Sequence, residues 1–314
     1  MRVVALSGGI GGAKLALGLY RVLSPGELTI VGNTGDDIEM FGLHISPDLD
    51  IVMYTLSGRA DPQKGWGIAG DTFHFLDELS RAYHLDTWFG LGDRDIATHV
   101  LRTEMLKRGE PLSSATRQLC QMSGLTDMTL LPMTDDTVCT RVDIGDVETI
   151  HFEEYFVKRQ CRDRIYGVSY AGSETAAPAP GVIEAIEVAD ILVVCPSNPI
   201  ASIGPILSVR QIREAMHSVD CPVVVVSPLV GGRAIKGPTE EFMRGLGYDV
   251  SVLGVADYYR DMMTHLVIDT RDMEYSNELS ARGVVPIVTN TVMQTTDDKV
   301  RLAREVIKAA SVGD

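Results

Sequence analysis

The sequence predicts an α/β fold: a Rossmann-like, doubly wound and mainly parallel sheet with an inserted smaller α/β lobe. Three observations lead to this prediction. Short runs rich in Val and Ile recur along the chain without the alternation of half-exposed strands, as expected when helices cover both faces of a sheet. Segments with helical periodicity lie between these runs. Glycine-rich or polar tracts follow several runs, which is typical of loops at the carboxyl edge of a parallel sheet.

Length and composition fit this class. The chain has 314 residues, of which 45% are hydrophobic and 23% are charged, so it can hold two domains or one large domain with an insertion. Its formal charge of −15 argues against a general binder of nucleic acids or anionic membranes. A small anionic ligand is still compatible with this charge, because a few N–H groups, cations and a metal can hold it.

The five cysteines are widely spaced and form no CxxC pair, so we expect reduced thiols rather than a zinc site. The apolar run at residues 3–6 is too short for the core of a signal peptide. No stretch approaches the roughly 18 apolar residues of a membrane helix. We therefore predict a cytoplasmic protein that binds neither nucleic acid nor membrane.

The elements follow from these patterns in chain order. Apolar runs predict buried strands at residues 3–6, 28–31, 51–54, 191–194, 223–226 and 252–255. Periodicity and capping residues predict helices at residues 13–23, 71–83, 97–108, 112–122, 202–217 and 239–246. A more polar middle region contains strand-like stretches at residues 137–144, 147–152 and 165–170. We predict a nucleotide-binding core formed by residues 1–84 and 182–314, with residues 85–181 as the inserted lobe.

The first glycine-rich tract, Ser-Gly-Gly-Ile-Gly-Gly-Ala-Lys at residues 7–14, lies between a strand and a helix. Gly9, Gly11 and Gly12 would let the backbone approach a phosphate, and Lys14 adds a positive charge. The tract matches neither the GxGxxG fingerprint nor the Walker loop. A tight turn without a ligand is the alternative, but its place after the first strand favours nucleotide contact.

Acidic residues follow in two further tracts. Asn33, Asp36 and Asp37 come after the second strand, where a hard cation or an Asx-type turn explains them equally well. Asp48 and Asp50 precede the predicted strand at residues 51–54, and in an extended segment they would share one face. Carboxylates so close together would bind a metal or perturb each other's pKa.

Trp88 and Phe89 precede a glycine-rich turn and the triplet Asp93-Arg94-Asp95. Aromatic rings beside charged groups suit a flat ligand. The alternatives are that the acids cap the next helix and that the aromatic rings pack the lobe onto the sheet.

Two polar loops follow strands in the second half of the chain, at residues 195–205 and 227–238. Their side chains and glycine N–H groups could line the same edge of the sheet. The candidates in them are Ser197, Asn198, Ser227, Gly231 and Gly232.

In combination, these tracts resemble those of the 2-phospho-L-lactate transferase family, whose members build the phosphodiester of the deazaflavin coenzyme F(420). The strings that carry the resemblance are Ser-Pro-Asp-Leu-Asp at residues 46–50, Gly-Asp-Arg-Asp-x-Ala-Thr-His at residues 92–99 and Pro-Ser-Asn-Pro-x-x-Ser-Ile-Gly-Pro at residues 196–205. The likeness extends from residue 3 to about residue 261, and no site is carried over from the segment that follows.

The resemblance implies a Mg²⁺-dependent transfer of a phospholactyl or phosphoenolpyruvyl group. The donor would be a guanosine diphosphate ester, the acceptor a hydroxyl of the deazaflavin Fo, and the leaving group GMP. It also implies a homodimer, with the inserted lobe contributing to the acceptor site. The sequence does not specify which three-carbon acid the donor carries.

The resemblance makes Asp36 a metal ligand, and it places Asp50 at the deazaflavin or at the metal. It also makes Asp50 a candidate catalytic residue, and the charged triplet adds Asp93 and Arg94. The remaining candidates are substrate contacts: Gly9, Gly11, Gly12, Lys14, Asn33, Asp48, Phe89, Asp95, Ser197, Asn198, Ser227, Gly231 and Gly232.

Two other functions are compatible with parts of the sequence. A non-catalytic regulator that binds nucleotide sugars, like the related gluconeogenesis-factor proteins, would share the fold and the glycine loop. An NAD-dependent dehydrogenase is suggested by the glycine-rich turn, but the fingerprint is imperfect and no hydride-transfer site can be assigned. The acidic pair Asp48 and Asp50 favours the transferase.

Overall fold

A parallel sheet forms the centre of the protein. The computed structural model describes residues 1–145 and 148–310, and within these ranges the sheet has seven strands. Their spatial order is β5-β2-β1-β9-β10-β13-β14, the Rossmann arrangement in which the order reverses beside the first strand. This confirms the predicted fold class. The strands are β1 (Val3–Ser7), β2 (Leu28–Gly32), β5 (Thr129–Pro132), β9 (Ile191–Val194), β10 (Val223–Val226), β13 (His265–Asp269) and β14 (Val285–Thr289).

Helices cover both faces of this sheet. In β1, Val3 and Ala5 pack into one apolar layer while Val4 and Leu6 pack into the other, which explains why the strand lacks polar alternation. The first layer includes α1 (Gly9–Val22), α2 (Pro47–Leu56), α4 (Asp93–Lys107), α5 (Leu112–Met122) and α12 (Thr296–Ala310). The second includes α6 (Val182–Glu187), α7 (Gly204–Ser208), α8 (Arg210–Ser218), α9 (Thr239–Gly245), α10 (Val252–Tyr258) and α11 (Ser276–Ala281).

Smaller elements surround the carboxyl edge. β3 (Ile38–Met40) and β4 (Leu43–Ile45) form a hairpin, as do β11 (Leu229–Val230) and β12 (Arg233–Ala234). An antiparallel sheet has the order β7-β6-β8, from β6 (Cys139–Asp143), β7 (Thr149–His151) and β8 (Gly167–Ala171). The remaining elements are α3 (His74–Tyr83), π-helical turns at Glu154–Lys158 and Pro199–Ile203, and a 3-10 helix at Thr270–Tyr275.

The predicted strand at residues 51–54 is wrong, because these residues belong to α2. Pro47 occupies the first turn with two acidic residues, which is a favourable helix start. The helix packs against α1 and against β2 and β5, and its residues 51–54 are all buried and apolar. A short apolar run of this kind cannot distinguish a buried helix from a buried strand.

The predicted strand at residues 252–255 is also wrong. These residues begin α10, and the Ser251 side chain caps the helix by accepting a hydrogen bond from the Gly254 N–H. The adjacent strands β13 and β14 were not predicted from the sequence. β14 is an edge strand with partly exposed residues, and the buried apolar run of β13 lies between His265 and Asp269.

The segment predicted as an inserted lobe, residues 85–181, contributes to both sheets. Its strand β5 pairs with β2 in the main sheet, while β6, β7 and β8 form the small antiparallel sheet. Val147, which begins the predicted strand at residues 147–152, lies outside the described residues. None of the helices in the described ranges combines the length and the apolar character needed to cross a membrane.

Candidate active site

The sheet order reverses between β1 and β9, and the loops after these two strands lie against each other. The Ser197 hydroxyl donates to the Gly8 carbonyl at 2.6 Å and accepts from the Gly8 N–H at 3.2 Å. A Cβ at Gly11 would lie 2.2 Å from the Pro196 carbonyl oxygen, so this approach requires glycine. The loops after β1 and β9 therefore form one packed surface. It lies at the edge of the sheet where α/β proteins with this strand order bind ligands.

The start of α1 already holds a carboxylate of the chain itself. The Gly9 N–H donates to Asp48 Oδ1 at 2.6 Å, and a Cβ at Gly8 would lie 2.6 Å from Asp48 Oδ2. The negative charge of Asp48 thus lies at the positive end of the helix. Gly12 is explained by packing in the same way as Gly11, because its Cβ would lie 2.4 Å from the Ser7 hydroxyl.

Asn33 connects Asp48 to a second acid. Its amide nitrogen donates to Asp48 Oδ2 and to Asp36 Oδ2, both at 2.9 Å, and its oxygen accepts from the Gly35 N–H at 2.7 Å. Asn33, Asp36 and Asp48 are all buried. The Asx-type turn that the sequence left open at this tract is thus present, and the hard cation that was its alternative stays a prediction.

Glu153, which the sequence analysis missed, joins this cluster from the segment after β7. Burial, together with the charges of Asp48 and Asp37, raises the pKa of Glu153 to about 8. Burial also raises the pKa of Asp48 to about 6, against the hydrogen bonds from Asn33 and Gly9. The pKa of Asp36 is raised by burial and by the charges of Asp48 and Glu153. These acids share a water-poor site that favours protons or cations.

Asp36 offers a buried carboxylate to a cation. Asn33 donates to its Oδ2, and a side-chain hydrogen bond with Thr140 lowers its pKa against the effect of burial. The described residues contain no group of three or more His, Cys, Asp and Glu side chains placed to hold a metal. Mg²⁺ is commonly held by one or two carboxylates with substrate phosphates and water, so Asp36 fits a metal that arrives with its substrate.

Asp50 lies in a different environment from Asp48. Both of its oxygens pair with the guanidinium of Arg102, with the Oδ2 contact at 3.0 Å. His99 lies between two acids: its Nδ1 is 3.6 Å from Asp50 Oδ2 and its Nε2 is 3.3 Å from Asp95 Oδ1. The Tyr54 hydroxyl donates to the same Asp95 oxygen at 2.7 Å. Asp50 is therefore held rigidly and its charge is neutralised within the protein.

The prediction that Asp48 and Asp50 share a face is wrong. It assumed an extended backbone, whereas both residues lie in the first turn of α2. Residues two apart on a helix point in different directions. Asp48 accordingly reaches the glycine loop, and Asp50 reaches Arg102 on α4.

Asp93 binds the start of α3. Its carboxylate accepts hydrogen bonds from the Thr72 hydroxyl at 2.5 Å, the His74 N–H at 3.1 Å and the Phe75 N–H at 3.0 Å. The Thr72 hydrogen bond is the largest influence lowering the pKa of Asp93, followed by that from Phe75. The structure thus gives Asp93 a capping contact, and its catalytic role stays a prediction.

Asp71 binds the start of α4 in return. Its oxygens accept from the Arg94 N–H at 2.9 Å and the Asp95 N–H at 3.1 Å. A Cβ at Gly92 would lie 2.1 Å from Asp71 Oδ2, so the glycine is needed for this contact. The Arg94 guanidinium donates to the Ala69 carbonyl at 3.3 Å. Asp71 and Asp93 thus form a clip in which each acid caps the helix that the other one precedes or begins: Asp71 caps α4 and Asp93 caps α3. The catalytic role of Arg94 stays a prediction.

Phe89 packs onto a small apolar cluster with Ile45, Leu76 and Leu91. The Trp88 ring meets it edge-on, with ring centroids 5.6 Å apart. Both rings thus make the packing contacts that the sequence analysis gave as the alternative to ligand binding. The ligand contact predicted for Phe89 stays a prediction.

The loop after β10 is closed by another acid that the sequence analysis missed. The Gly231 N–H donates to Asp272 Oδ2 at 2.9 Å, and Gly231 and Gly232 both have positive φ angles. The Ser227 hydroxyl accepts from the Leu229 N–H at 3.1 Å. The glycine turn predicted to receive a phosphate therefore already contacts Asp272.

Two polar groups at the floor of the crevice have no partner in the described structure. They are the Asn198 side-chain nitrogen and the Ser7 hydroxyl, both buried. The Asn198 oxygen caps the following π-helical turn by accepting from Ile200 and Ala201 at 3.0 and 3.1 Å. The free Asn198 nitrogen is a donor that a ligand could use.

The structure brings one group of predicted residues together at the sheet reversal: Gly9, Gly11, Gly12, Asn33, Asp36, Asp48, Ser197 and Asn198. Asp50 and Asp95 belong to the adjacent network with Arg102, and Asp93 and Arg94 belong to the clip. Sequence spacing could not reveal Glu153 or Asp272, because each reaches its cluster from a distant segment.

Comparison with known proteins identifies relatives over almost the whole chain. The family model described as 2-phospho-L-lactate transferase CofD matches residues 3–310. A phosphoenolpyruvate transferase from Streptomyces coelicolor is 41% identical over 314 residues, covering 99% of this chain and 98% of that protein. A 2-phospho-L-lactate transferase from Methanocaldococcus jannaschii is 40% identical and covers 98% and 97%.

A solved structure shares the fold at low sequence identity. The crystal structure of a UPF0052 family member from Bacillus halodurans has a TM-score of 0.65 and 16% identity, covering 98% of both chains. At this sequence identity, the likeness shows a shared fold and nothing about function. The homodimer and the cytoplasmic location predicted from the sequence stay predictions.

Proposed function

Because the chain belongs to the family of 2-phospho-L-lactate transferase CofD, we propose that it transfers a phosphoenolpyruvyl group to the deazaflavin Fo. The family and the relatives make it a phosphoenolpyruvate or 2-phospho-L-lactate transferase of coenzyme F(420) biosynthesis. The proposal adds a guanosine diphosphate ester as donor and Mg²⁺ as cofactor. The phosphoenolpyruvate transferases among its relatives, including the one from S. coelicolor, favour the enolpyruvyl donor over the lactyl donor.

In the proposed reaction, a hydroxyl oxygen of Fo attacks the phosphorus that carries the three-carbon acid. A new P–O bond forms, the bond to the bridging oxygen of the diphosphate breaks, and GMP leaves with that oxygen. The hydroxyl proton passes to a base or to water. Such a transfer depends mainly on positioning and on neutralising the phosphate oxygens.

The observation that carries the proposal is the buried carboxylate of Asp36 beside the Asn33–Asp48 pair at the sheet reversal. We propose Asp36 as the carboxylate that holds Mg²⁺, which when bound would neutralise the transferred phosphate. Asn33 holds Asp36 in place through its amide. Asp48, at the start of α1, keeps the glycine loop in its observed shape.

We propose that Asp50 faces the acceptor and is the second carboxylate of the metal site. The support is its rigid placement: Arg102 binds both of its oxygens and His99 lies beside it. Arg102 occupies both oxygens of Asp50, so Asp50 would orient the Fo hydroxyl rather than remove its proton. The free Asn198 nitrogen is a further contact for the donor.

The test is a mass-spectrometric assay with purified protein, Fo and Mg²⁺, in which guanosine diphosphate esters of enolpyruvate and of lactate compete. We expect the enolpyruvyl product to dominate and GMP to appear in equal amount. Asp36→Asn should lower turnover by at least about 100-fold while the protein stays folded. Asp220→Asn, an exposed acid at the amino end of β10, is the matched control and should behave as wild type.

Dominance of the lactyl product would overturn the choice of donor but leave the transfer itself intact. Wild-type turnover of Asp36→Asn at limiting Mg²⁺ would remove Asp36 from the metal site. Absence of any product with either donor would contradict the proposed reaction.

A further inference from the structure

Helices α2 and α4 face each other with polar side chains. These side chains are Asp50 and Tyr54 on α2, four residues apart, and Asp95, His99 and Arg102 on α4, at intervals of four and three. Side chains at these intervals lie on one face of a helix. All five residues are buried. They form a polar ladder between the two helices.

At one end of the polar ladder, Arg102 holds Asp50. Its guanidinium donates to both oxygens of Asp50, with the Nη1–Oδ2 contact at 3.0 Å. The same Nη1 lies 3.4 Å from His99 Nδ1. Because a guanidinium carries donors and no acceptor, His99 Nδ1 offers its lone pair to Arg102. The proton of the neutral imidazole ring is then on Nε2.

At the other end of the polar ladder, Asp95 faces this proton. His99 Nε2 lies 3.3 Å from Asp95 Oδ1, and the Tyr54 hydroxyl donates to the same oxygen at 2.7 Å. Burial alone would raise the pKa of Asp95, but the contact with His99 and the hydrogen bond from Tyr54 lower it. Each contact thus joins a donor to an acceptor, and the orientation of each group depends on the next one.

Stability alone does not explain such a ladder. Buried ionic groups lose their hydration, and well-packed apolar side chains of similar volume often stabilise a protein as well or better. A network in which every donor meets an acceptor instead imposes one geometry on its members. The polar ladder ends at Asp50, which the proposed function places at the acceptor hydroxyl.

We propose that Asp95 and His99 are positioning residues for Asp50, and that they act through Arg102 to keep the acceptor hydroxyl directed at the phosphorus. Asp95, for which the sequence predicts a substrate contact, would then act through two intervening side chains. The inference rests on the proposed function, because the acceptor role of Asp50 belongs to it. The contacts within the polar ladder do not depend on that function.

The test compares two substitutions of His99, with Fo, Mg²⁺ and the guanosine diphosphate ester of enolpyruvate as substrates. His99→Phe keeps a flat ring but loses both nitrogen atoms, so it should lower kcat for transfer by about 10–100-fold with little change in KM for the donor. His99→Gln keeps an acceptor for Arg102 and a donor for Asp95, so it should recover most of this loss. His217→Phe, which replaces an exposed histidine on α8, is the matched control.

The fate of the donor separates positioning from a general loss of structure. When the acceptor hydroxyl is misplaced, a water oxygen can attack the same phosphorus. A new P–O bond then forms, the bond to the bridging oxygen breaks, GMP leaves with that oxygen and the water proton passes to solvent. GMP should therefore exceed the Fo product in His99→Phe and equal it in wild type and His99→Gln. A purely structural role would lower both in proportion.

Two further variants test the other members of the polar ladder. Asp95→Leu removes the acceptor that orients His99, so it should give the same excess of GMP. Tyr54→Phe removes one donor to Asp95 and should give a smaller excess. Tyr83→Phe, at an exposed tyrosine, is its matched control. If His99→Phe does not fold, the excess of GMP in Tyr54→Phe decides.

The crystal structure of ligand-free His99→Phe gives a readout besides activity. We expect Arg102 to release one oxygen of Asp50 in this variant and to hold both in His99→Gln. An unchanged Arg102–Asp50 pair in His99→Phe, or GMP and Fo product still formed in equal amounts, would overturn the positioning role. If wild type forms no product with either donor, the proposed function fails, and release of Asp50 in this crystal structure would still show that His99 positions the acid.

Discussion

Asp50 and Arg102 form a buried ion pair that joins α2 to α4. Both side chains are almost completely buried, and Arg102 is the largest fully buried side chain in the described structure. A pair of this kind contributes little net stability, but loss of one partner leaves an uncompensated charge in the interior. The pair therefore ties the placement of a predicted catalytic acid to the integrity of the fold.

Arg102→Met should consequently destabilise the protein by about 3–5 kcal/mol. Asp50→Asn together with Arg102→Met should recover a large part of this loss, because neither charge is then left alone. Urea denaturation of the two single variants and the double variant measures the coupling. Additive effects of the two substitutions would show that the pair is not coupled in the folded protein.

Gly11 illustrates how packing can require a glycine that the sequence explains by a ligand. The sequence marks it as a glycine that a phosphate approaches, whereas the structure shows the Pro196 carbonyl in the space a side chain would fill. The glycine pattern therefore predicted the loop and its position correctly. It could not reveal that the neighbouring loop explains the requirement, because that contact is 185 residues away in sequence.

We expect Gly11→Ala to destabilise the protein by about 1–3 kcal/mol, since a Cβ there would force the two loops apart. Gly145→Ala is the control, because its Cβ would meet open space and its φ angle is not positive. Chemical denaturation of both variants in the absence of nucleotide decides between packing and ligand contact. Wild-type stability of Gly11→Ala combined with lost GDP binding would restore the phosphate interpretation.

At the scale of elements, the sequence predicted the central strands well and failed where burial removes the distinguishing pattern. The strands β1, β2, β9 and β10 are short apolar runs followed by polar loops, as predicted. The helices α2 and α10 contain equally apolar runs. What identifies them as helices is how they start, with Pro47 and two acids in α2 and the Ser251 cap in α10, and which layer they pack into. The composition of a short segment does not show which layer of the fold that segment packs into.

The clip between α3 and α4 leads to a prediction about a single element. Asp93→Ala removes the acceptor for the His74 and Phe75 N–H groups, so the first turn of α3 should exchange its amide hydrogens faster. α4 should stay protected, because Asp71 still caps it. Hydrogen exchange read by mass spectrometry measures both helices in one experiment.

Asp77→Ala, an exposed acid on the same helix, is the control for the loss of negative charge in this turn. Unchanged exchange in α3 of Asp93→Ala would show that Asp93 does not cap this helix in solution. A loss of Fo turnover without faster exchange would then favour the catalytic role predicted from the sequence.

At the scale of the whole molecule, the strand order places the loops after β1 and β9 side by side, and every acid of the buried cluster reaches this point. Asp36 arrives from β2, Asp48 from α2 and Glu153 from the small antiparallel sheet. The small sheet is anchored to the acidic loop by the hydrogen bond from the Thr140 N–H to the Gly35 carbonyl at 2.7 Å. The sequence predicted the edge of the sheet where the site lies, but not this long-range contribution.

The acid cluster makes global stability depend on pH. Glu153 has an ordinary pKa of 4.5, and burial raises it to about 8 in the folded protein. Between these values the folded state keeps a proton that the unfolded chain has lost, so stability must fall as the pH rises. Burial lowers the pKa of His151 below 6.5, which gives the opposite slope at lower pH. The effect of Glu153 is therefore clearest between pH 6.5 and 8.

In this window we expect the free energy of unfolding of metal-free protein to fall by up to about 1.4 kcal/mol per pH unit for the one proton. Glu153→Gln should remove most of this slope and be more stable than wild type at pH 8, because an amide needs no proton to stay neutral. Glu187→Gln, an exposed acid at the end of α6, should keep the wild-type slope. Urea denaturation at pH 6.5, 7.25 and 8 after chelation measures the slopes. An equal slope in wild type and Glu153→Gln would show that Glu153 is already ionised in the folded, metal-free protein.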